Sequence, residues 1–202
     1  MEPLTPLRIT GDDAIDDFLR SDPLALLMGM LLDQQISIEL AFKGPYRLNQ
    51  RIDGTFDAHT IASMDPDEAV AIFAVKPALH RFPANMAKRT QAMCQKLVDD
   101  YDGDPSRLWL EATDGADLLR RLKALPGFGP EKSRIFTALL AKRFGIRTPG
   151  WEAAAGPFSD GELRSVADID DPEKLSELRD HRKALKAQGR DKTGSRARGP
   201  KE

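Results

Sequence analysis

The sequence predicts an all-α fold on three observations. Apolar residues recur at spacings of three and four, Asp-Pro and Ser/Asp signals stand where those runs begin, and no run of alternating β-branched residues marks a strand. In "SDPLALLMGMLLDQQ", Ser21 or Asp22 caps a helix, Pro23 takes its first position, and Leu24, Leu27, Met28 and Leu31 share one face. "SIELAFKGPYRLNQRI" continues the pattern to Gly44-Pro45, where a break or kink is expected because proline lacks an amide and clashes with the preceding turn. "DPDEAVAIFAV" has an acidic first turn after Asp65, suited to the helix dipole. "PANMAKRTQAMCQKLVDDY" places Met86, Ala87, Met93, Cys94, Leu97 and Val98 on a stripe, and Asp102-Gly103 stops it. "GADLLRRLKAL" and "PEKSRIFTALLAKRFG" form the last clear pair.

The composition changes after Arg147. Residues 1–148 read as one helical domain, and 149–186 as a Gly- and Pro-containing segment with only short helices. Residues 187–202 form a basic tail without an apolar anchor, expected to be disordered.

At 202 residues, 41% apolar and 31% charged, the chain suits one sizeable core or two small ones. No stretch reaches the ~20 uninterrupted apolar residues of a membrane span, and "MEPLTPLRITGDDAIDDF" lacks the pattern of a signal peptide. Cys94 is the single cysteine, which excludes an intramolecular disulfide and a four-cysteine zinc or iron–sulfur site. His59, His80 and His181 have no metal-ligand spacing, and no nucleotide-binding or serine-hydrolase motif is present. The expectation is a cytoplasmic monomer without a membrane or a redox cofactor.

The net charge of −2 conceals a polarised distribution. Residues 118–148 carry eight Lys/Arg against Glu131, a net of +7, and residues 181–202 carry +6, which leaves −15 for the rest. Such clustering is the electrostatic footprint of a nucleic-acid contact, although a solvated helix face has the same pattern.

The turn "LPGFGP" lies inside the first of these clusters. Gly127 and Gly129 flank Phe128, and Pro130 opens the next helix with a preset φ. Two readings are open. The turn is a corner between helices, or its amides and the positive helix end form an anion site. In the second, Lys132 and Ser133 reach the same phosphate from the first turn, and Arg134 points outward. Phosphate contacts supply most sequence-independent affinity for DNA.

Two segments resemble a known family. "LKALPGFGPEKSRIF" is similar to the helix-hairpin-helix of the HhH-GPD superfamily of base-excision DNA glycosylases, and "LLMGMLLDQQISIELA", about ninety residues upstream, is similar to their I-L-x-Q-Q-Φ-S segment. The resemblance covers residues 20–148 and implies a six-helix barrel ending in the hairpin at 117–144, with double-stranded DNA across its mouth. It places Gln35 where the family inserts a side chain into the duplex, filling the gap left by an extruded nucleotide. Gly127 and Gly129 would hold a phosphate through their amides. The main-chain carbonyls of Lys123, Leu125 and Phe128 would correspond to a monovalent-cation site. The function implied is hydrolysis of the N-glycosidic bond of a damaged base, or, alternatively, DNA-damage binding without catalysis.

The chain departs from the family at two positions. Glu131 stands where bifunctional members carry a nucleophilic lysine, and Lys132 is a further ~100° around the helix. Strand cleavage by an amine is therefore not expected. The superfamily's catalytic aspartate falls on Pro149 or Gly150, leaving Glu152 and Asp160 as the candidate carboxylates and Trp151 as a core anchor or a stacking surface.

Overall fold

A computed structural model describes residues 7–191, 193 and 194. Its architecture is helical, with no β-strand among the described residues. The helices are α1 (Asp13–Ser21), α2 (Pro23–Leu32), α3 (Ile38–Asn49), α4 (Ala58–Ser63), α5 (Pro66–Ala74) and α6 (Pro83–Tyr101). They continue with α7 (Arg107–Leu110), α8 (Gly115–Lys123), α9 (Pro130–Arg143), α10 (Trp151–Ala155) and α11 (Pro172–Ala187). Two 3₁₀ turns, Gly156–Phe158 and Val166–Asp168, lie between α10 and α11.

One capping device recurs. Asp12, Asp22, Ser37, Asp57, Asp65, Asp114 and Asp171 each accept a hydrogen bond from a first-turn amide of the helix they precede. Each such cap satisfies an amide that has no acceptor within its helix.

Every residue of α2 after Pro23 is buried. A helix apolar all round needs neighbours on every side, and α2 packs against α1, α3, α6 and α9. On one flank α4 and α5 rest on α6; on the other α8 and α10 rest on α9. The hub helix therefore joins the two flanks, and its C-terminal end emerges between them.

The structure refines two expectations. Of the break or kink expected at Gly44-Pro45, the break does not occur: α3 runs through Pro45 to Asn49. Gly44 and Pro45 are buried, and a Cβ on Gly44 would lie 2.5 Å from Leu32 Cδ1, so tight packing on α2 holds the segment helical despite the lost amide. The 149–186 segment also holds more than short helices, because α11 has sixteen residues. Its Asp171 cap and Pro172 start repeat the signals that open α2 and α5, but its apolar face is thin: Leu175, Leu178 and Leu185 are its buried residues. Phe158, Val166, Ile169 and Leu178 join the same apolar core as α2 and α9. Of the tail, residues 192 and 195–202 lie outside the described residues.

Candidate nucleic-acid interface

The α8–α9 corner is built on two apolar pegs and two glycines. Leu125 and Phe128 are buried, and the Phe128 ring meets Phe136 edge-on at 6.1 Å, which anchors the turn to the body of α9. The Leu125 amide donates to the Leu122 carbonyl at 3.1 Å, and the Phe128 amide to the Leu125 carbonyl at 3.0 Å. Gly127, Gly129, Pro130 and Glu131 are exposed. Among the described residues, the Gly127 and Gly129 amides find no acceptor.

The two glycines are required for different reasons. Gly127 has φ +85°, and a Cβ there would lie 2.3 Å from Leu31 Cδ1. Gly129 has φ −85° and nothing within 4 Å of a built Cβ, so neither backbone nor packing demands glycine at that position. What its missing side chain leaves is open access to the amides at the start of α9.

The end of α2 is held against this corner. The Lys132 ammonium donates to the Leu31 carbonyl, as does Gln34 Nε2 at 3.0 Å. Gln34 Nε2 also lies 3.3 Å from Met86 Sδ, its Oε1 accepts Arg89 Nη1 at 2.9 Å, and its carbonyl accepts His80 Nε2 at 2.9 Å. Gln34 is thus locked at every polar atom of its side chain. Its neighbour Gln35 is exposed and held at φ +56°, a left-handed conformation that costs a side-chain-bearing residue about 1 kcal/mol or more. Strain of this kind persists only where the surroundings impose it, and the locked Gln34 supplies that constraint.

Gln35 opens onto a cleft of about 260 Å³ lined by Gln34, Gln35, His80, Phe82, Asn85, Met86 and Arg89. Phe82 is 39% exposed, with the Arg81 guanidinium 4.8 Å above its ring. His80 is buried, and its Nδ1 accepts the Phe82 amide at 3.0 Å. The proton therefore sits on Nε2, which donates to the Gln34 carbonyl. Burial pushes the His80 pKa below its usual value of 6.5; the Gln34 bond opposes this, and Lys132, Arg81 and Arg89 add to it. A lowered folded-state pKa means the unfolded chain binds the proton first. Stability is therefore full above about pH 7 and falls as pH drops through 6.5 toward the folded value. Thermal melts between pH 7.5 and 5.5 should show this loss, and His80→Gln should flatten it.

The predicted site residues divide into those at the corner and those away from it. Gly127 and Lys132 both meet Leu31 at the end of α2, Gln35 lines the cleft beside Gln34, and Gly129, Arg134 and Lys123 are exposed on the hairpin. Ser133 does not reach a ligand: it is fully buried and its hydroxyl donates to the Gly129 carbonyl at 3.0 Å. Its position on α9 shares a face with Phe136 and Thr137, which turns it inward. Of the three carbonyls assigned to a cation, that of Leu125 already accepts the Phe128 amide.

The candidate carboxylates sit at the far end of α9, roughly 20 Å from the corner by helix rise. Glu152 is exposed on α10, whose start is fixed by the Gly115 amide donating to the Pro149 carbonyl at 2.8 Å. Asp160 is engaged by Arg164, with Nε and Nη2 both 2.8 Å from Oδ2. Its carbonyl accepts Lys142 at 2.5 Å. Neither lines the cleft beside Gln35. Trp151 is half-buried against the core.

Sequence reasoning missed Asn85 and Arg89. Both are exposed, four apart on α6, and line the cleft together with Met86. That i,i+4 pair was the available signal. Arg89 stands beside the corner, its Cδ 4.0 Å from a Cβ built on Gly127, and Arg81, Lys88, Lys123 and Arg134 are exposed.

No family model matches the chain, and no curated protein matches it.

Proposed function

We propose that the chain binds duplex DNA, gripping a backbone phosphate with the Gly127 and Gly129 amides and probing the duplex with Gln35. One observation carries this reading. The two segments that resemble the glycosylase superfamily lie about ninety residues apart in sequence, yet they meet in space. Leu31 lies directly beneath Gly127 and accepts the Lys132 ammonium. On this reading α2 to α9 correspond to the barrel and hairpin of the glycosylase type, with the DNA lying over the corner.

The same reading favours the binding alternative over base excision. Hydrolysis of an N-glycosidic bond requires a carboxylate held in fixed geometry beside the sugar. The residues lining the cleft next to Gln35 are amide, imidazole, thioether, aromatic and guanidinium groups. We therefore propose recognition of distorted or damaged duplex without glycosidic cleavage. An active glycosylase is the outcome that a single-turnover assay on uracil-, alkyl- and oxidised-base duplexes would reveal through release of free base.

The binding test uses Gly129→Ala. Because a methyl there meets nothing within 4 Å, the variant should melt within a degree or two of the parent. Its affinity for a fluorescent duplex should nevertheless fall about tenfold, as expected when one charge-assisted phosphate contact is hindered. Parent affinity should drop steeply between 50 and 200 mM salt, by the release of counterions. Affinity indifferent to both changes would contradict the reading.

A further inference from the structure

The chain has two basic clusters, and the hairpin accounts for only one of them. The second, residues 181–202 with a net of +6, begins on α11. The structure brings its described part next to the proposed grip. Early in α11, Leu175 and Leu178 line a groove with Ile36 and Ile38, directly after Gln35, and Arg179 pairs with Glu39. Further along, Arg182, Leu185, Lys186 and Arg190 wall a cavity of about 320 Å³ together with Glu131, the second residue of α9 and two after Gly129. One helix thus borders both segments of the corner.

The cations on this cavity are not used by the fold. Lys186 and Arg190 are exposed and pair with no carboxylate among the described residues. Arg182 Nε and Nη2 are buried and make no hydrogen bond, a cost that an entering acceptor would relieve. Arg182 and Lys186 stand one turn apart, ~6 Å along the axis of α11. The Arg190 amide donates to the Leu185 carbonyl at 2.9 Å, which folds the chain back and keeps Arg190 on the same cavity. Glu131 and Asp191 also line it, so its walls carry a net charge of +1. That is a weak trap for a small free anion. A nucleic-acid strand instead offers one phosphate per ~3.4 Å of duplex axis, enough to meet each exposed cation in turn.

Resting on the reading that the hairpin binds DNA, we propose that the end of α11 is a second phosphate contact on the same duplex. Arg182, Lys186 and Arg190 hold the backbone that flanks the phosphate gripped at Gly127 and Gly129. Being made to the backbone, the contact positions the duplex and reads no bases.

The test is the salt dependence of affinity for a fluorescent duplex, read by anisotropy between 50 and 200 mM salt. Lys186→Gln combined with Arg190→Gln should lower the slope of log affinity against log salt by about two units, one per lost phosphate contact, and weaken binding about tenfold at 50 mM. Both side chains are exposed, so this double variant should melt within a degree or two of the parent. Adding Arg182→Met should take off about one further unit, with circular dichroism checking α11. Arg20, three residues before Pro23 and so at the opposite end of α2 from the corner, serves as the control. Its Arg20→Gln variant should leave the slope unchanged. The parent slope in the double variant, or an equal change from Arg20→Gln, would overturn the second contact. Gly129→Ala, measured alongside, separates the levels. If it leaves binding unchanged, the hairpin reading fails; if it weakens binding while the double variant keeps the parent slope, the α11 contact alone fails.

Discussion

Phe136→Ala is expected to cost about 3–5 kcal/mol of folding stability, the largest effect of any single truncation considered for this protein. Phe136 is fully buried on the inner face of α9. Its ring lies 6.0 Å from Trp109 and 6.1 Å from Phe128, so it links α7, the turn and α9 in one aromatic cluster. Removing it leaves a cavity at the base of the hairpin and withdraws the surface on which the Phe128 peg rests. Urea denaturation measures the loss. A double-mutant cycle with Phe128→Ala should return a coupling of about 0.5–1.5 kcal/mol, the range for aromatic pairs. Additive losses would mean that the two rings do not support each other.

Gly127→Ala comes second, with an expected loss of about 2–5 kcal/mol. Two costs combine. A φ of +85° disfavours any residue with a Cβ by about 1–2 kcal/mol. The new methyl would also lie 2.3 Å from Leu31 Cδ1, and overpacking of that kind costs about 1–3 kcal/mol. Leu31 is fully buried, so its side chain has little room to yield. Gly127→Ala should therefore lower both stability and DNA affinity, whereas Gly129→Ala should lower affinity alone. The contrast between two glycines two residues apart separates a fold requirement from a binding requirement. Equal destabilisation by both would contradict the geometry of the turn.

Much of the helical framework is legible in the sequence because its helices begin with explicit chemistry. Pro83–Tyr101 is bounded by a proline and by Asp102-Gly103, and its stripe of Met86, Ala87, Met93, Cys94 and Leu97 is buried. The short or sparsely apolar helices are less legible. The six-residue α4 has too few turns to establish a period, and only two of its residues are buried. The α11 helix has a full set of capping signals but spreads three buried leucines over sixteen residues. Helix 3 shows the opposite failure, in which a strong local signal, Gly44-Pro45, yields to tertiary contact with α2.

The candidate site divides in the same way. Gln35, Gly127 and Gly129 are visible because short motifs place them. The inward turn of Ser133 depends on the rotation of α9, and the approach of Arg89 to Gln34 depends on how α6 crosses the end of α2. The engagement of Asp160 by Arg164 and Lys142 likewise arises from folding of the chain beyond α10. The Arg89–Gln34 and Lys142–Asp160 contacts join residues far apart along the chain, which no local periodicity fixes.

The central claim is that the amides of Gly127 and Gly129 hold a DNA phosphate. Backbone amide chemical shifts of the labelled protein, followed while a short duplex is added, test it most directly. The account predicts that Gly127 and Gly129 shift most, together with Gln35 and the first turn of α9, and that the shifts vanish in high salt. Titration without change at these two glycines, with the perturbed amides grouped elsewhere on the surface, would contradict it.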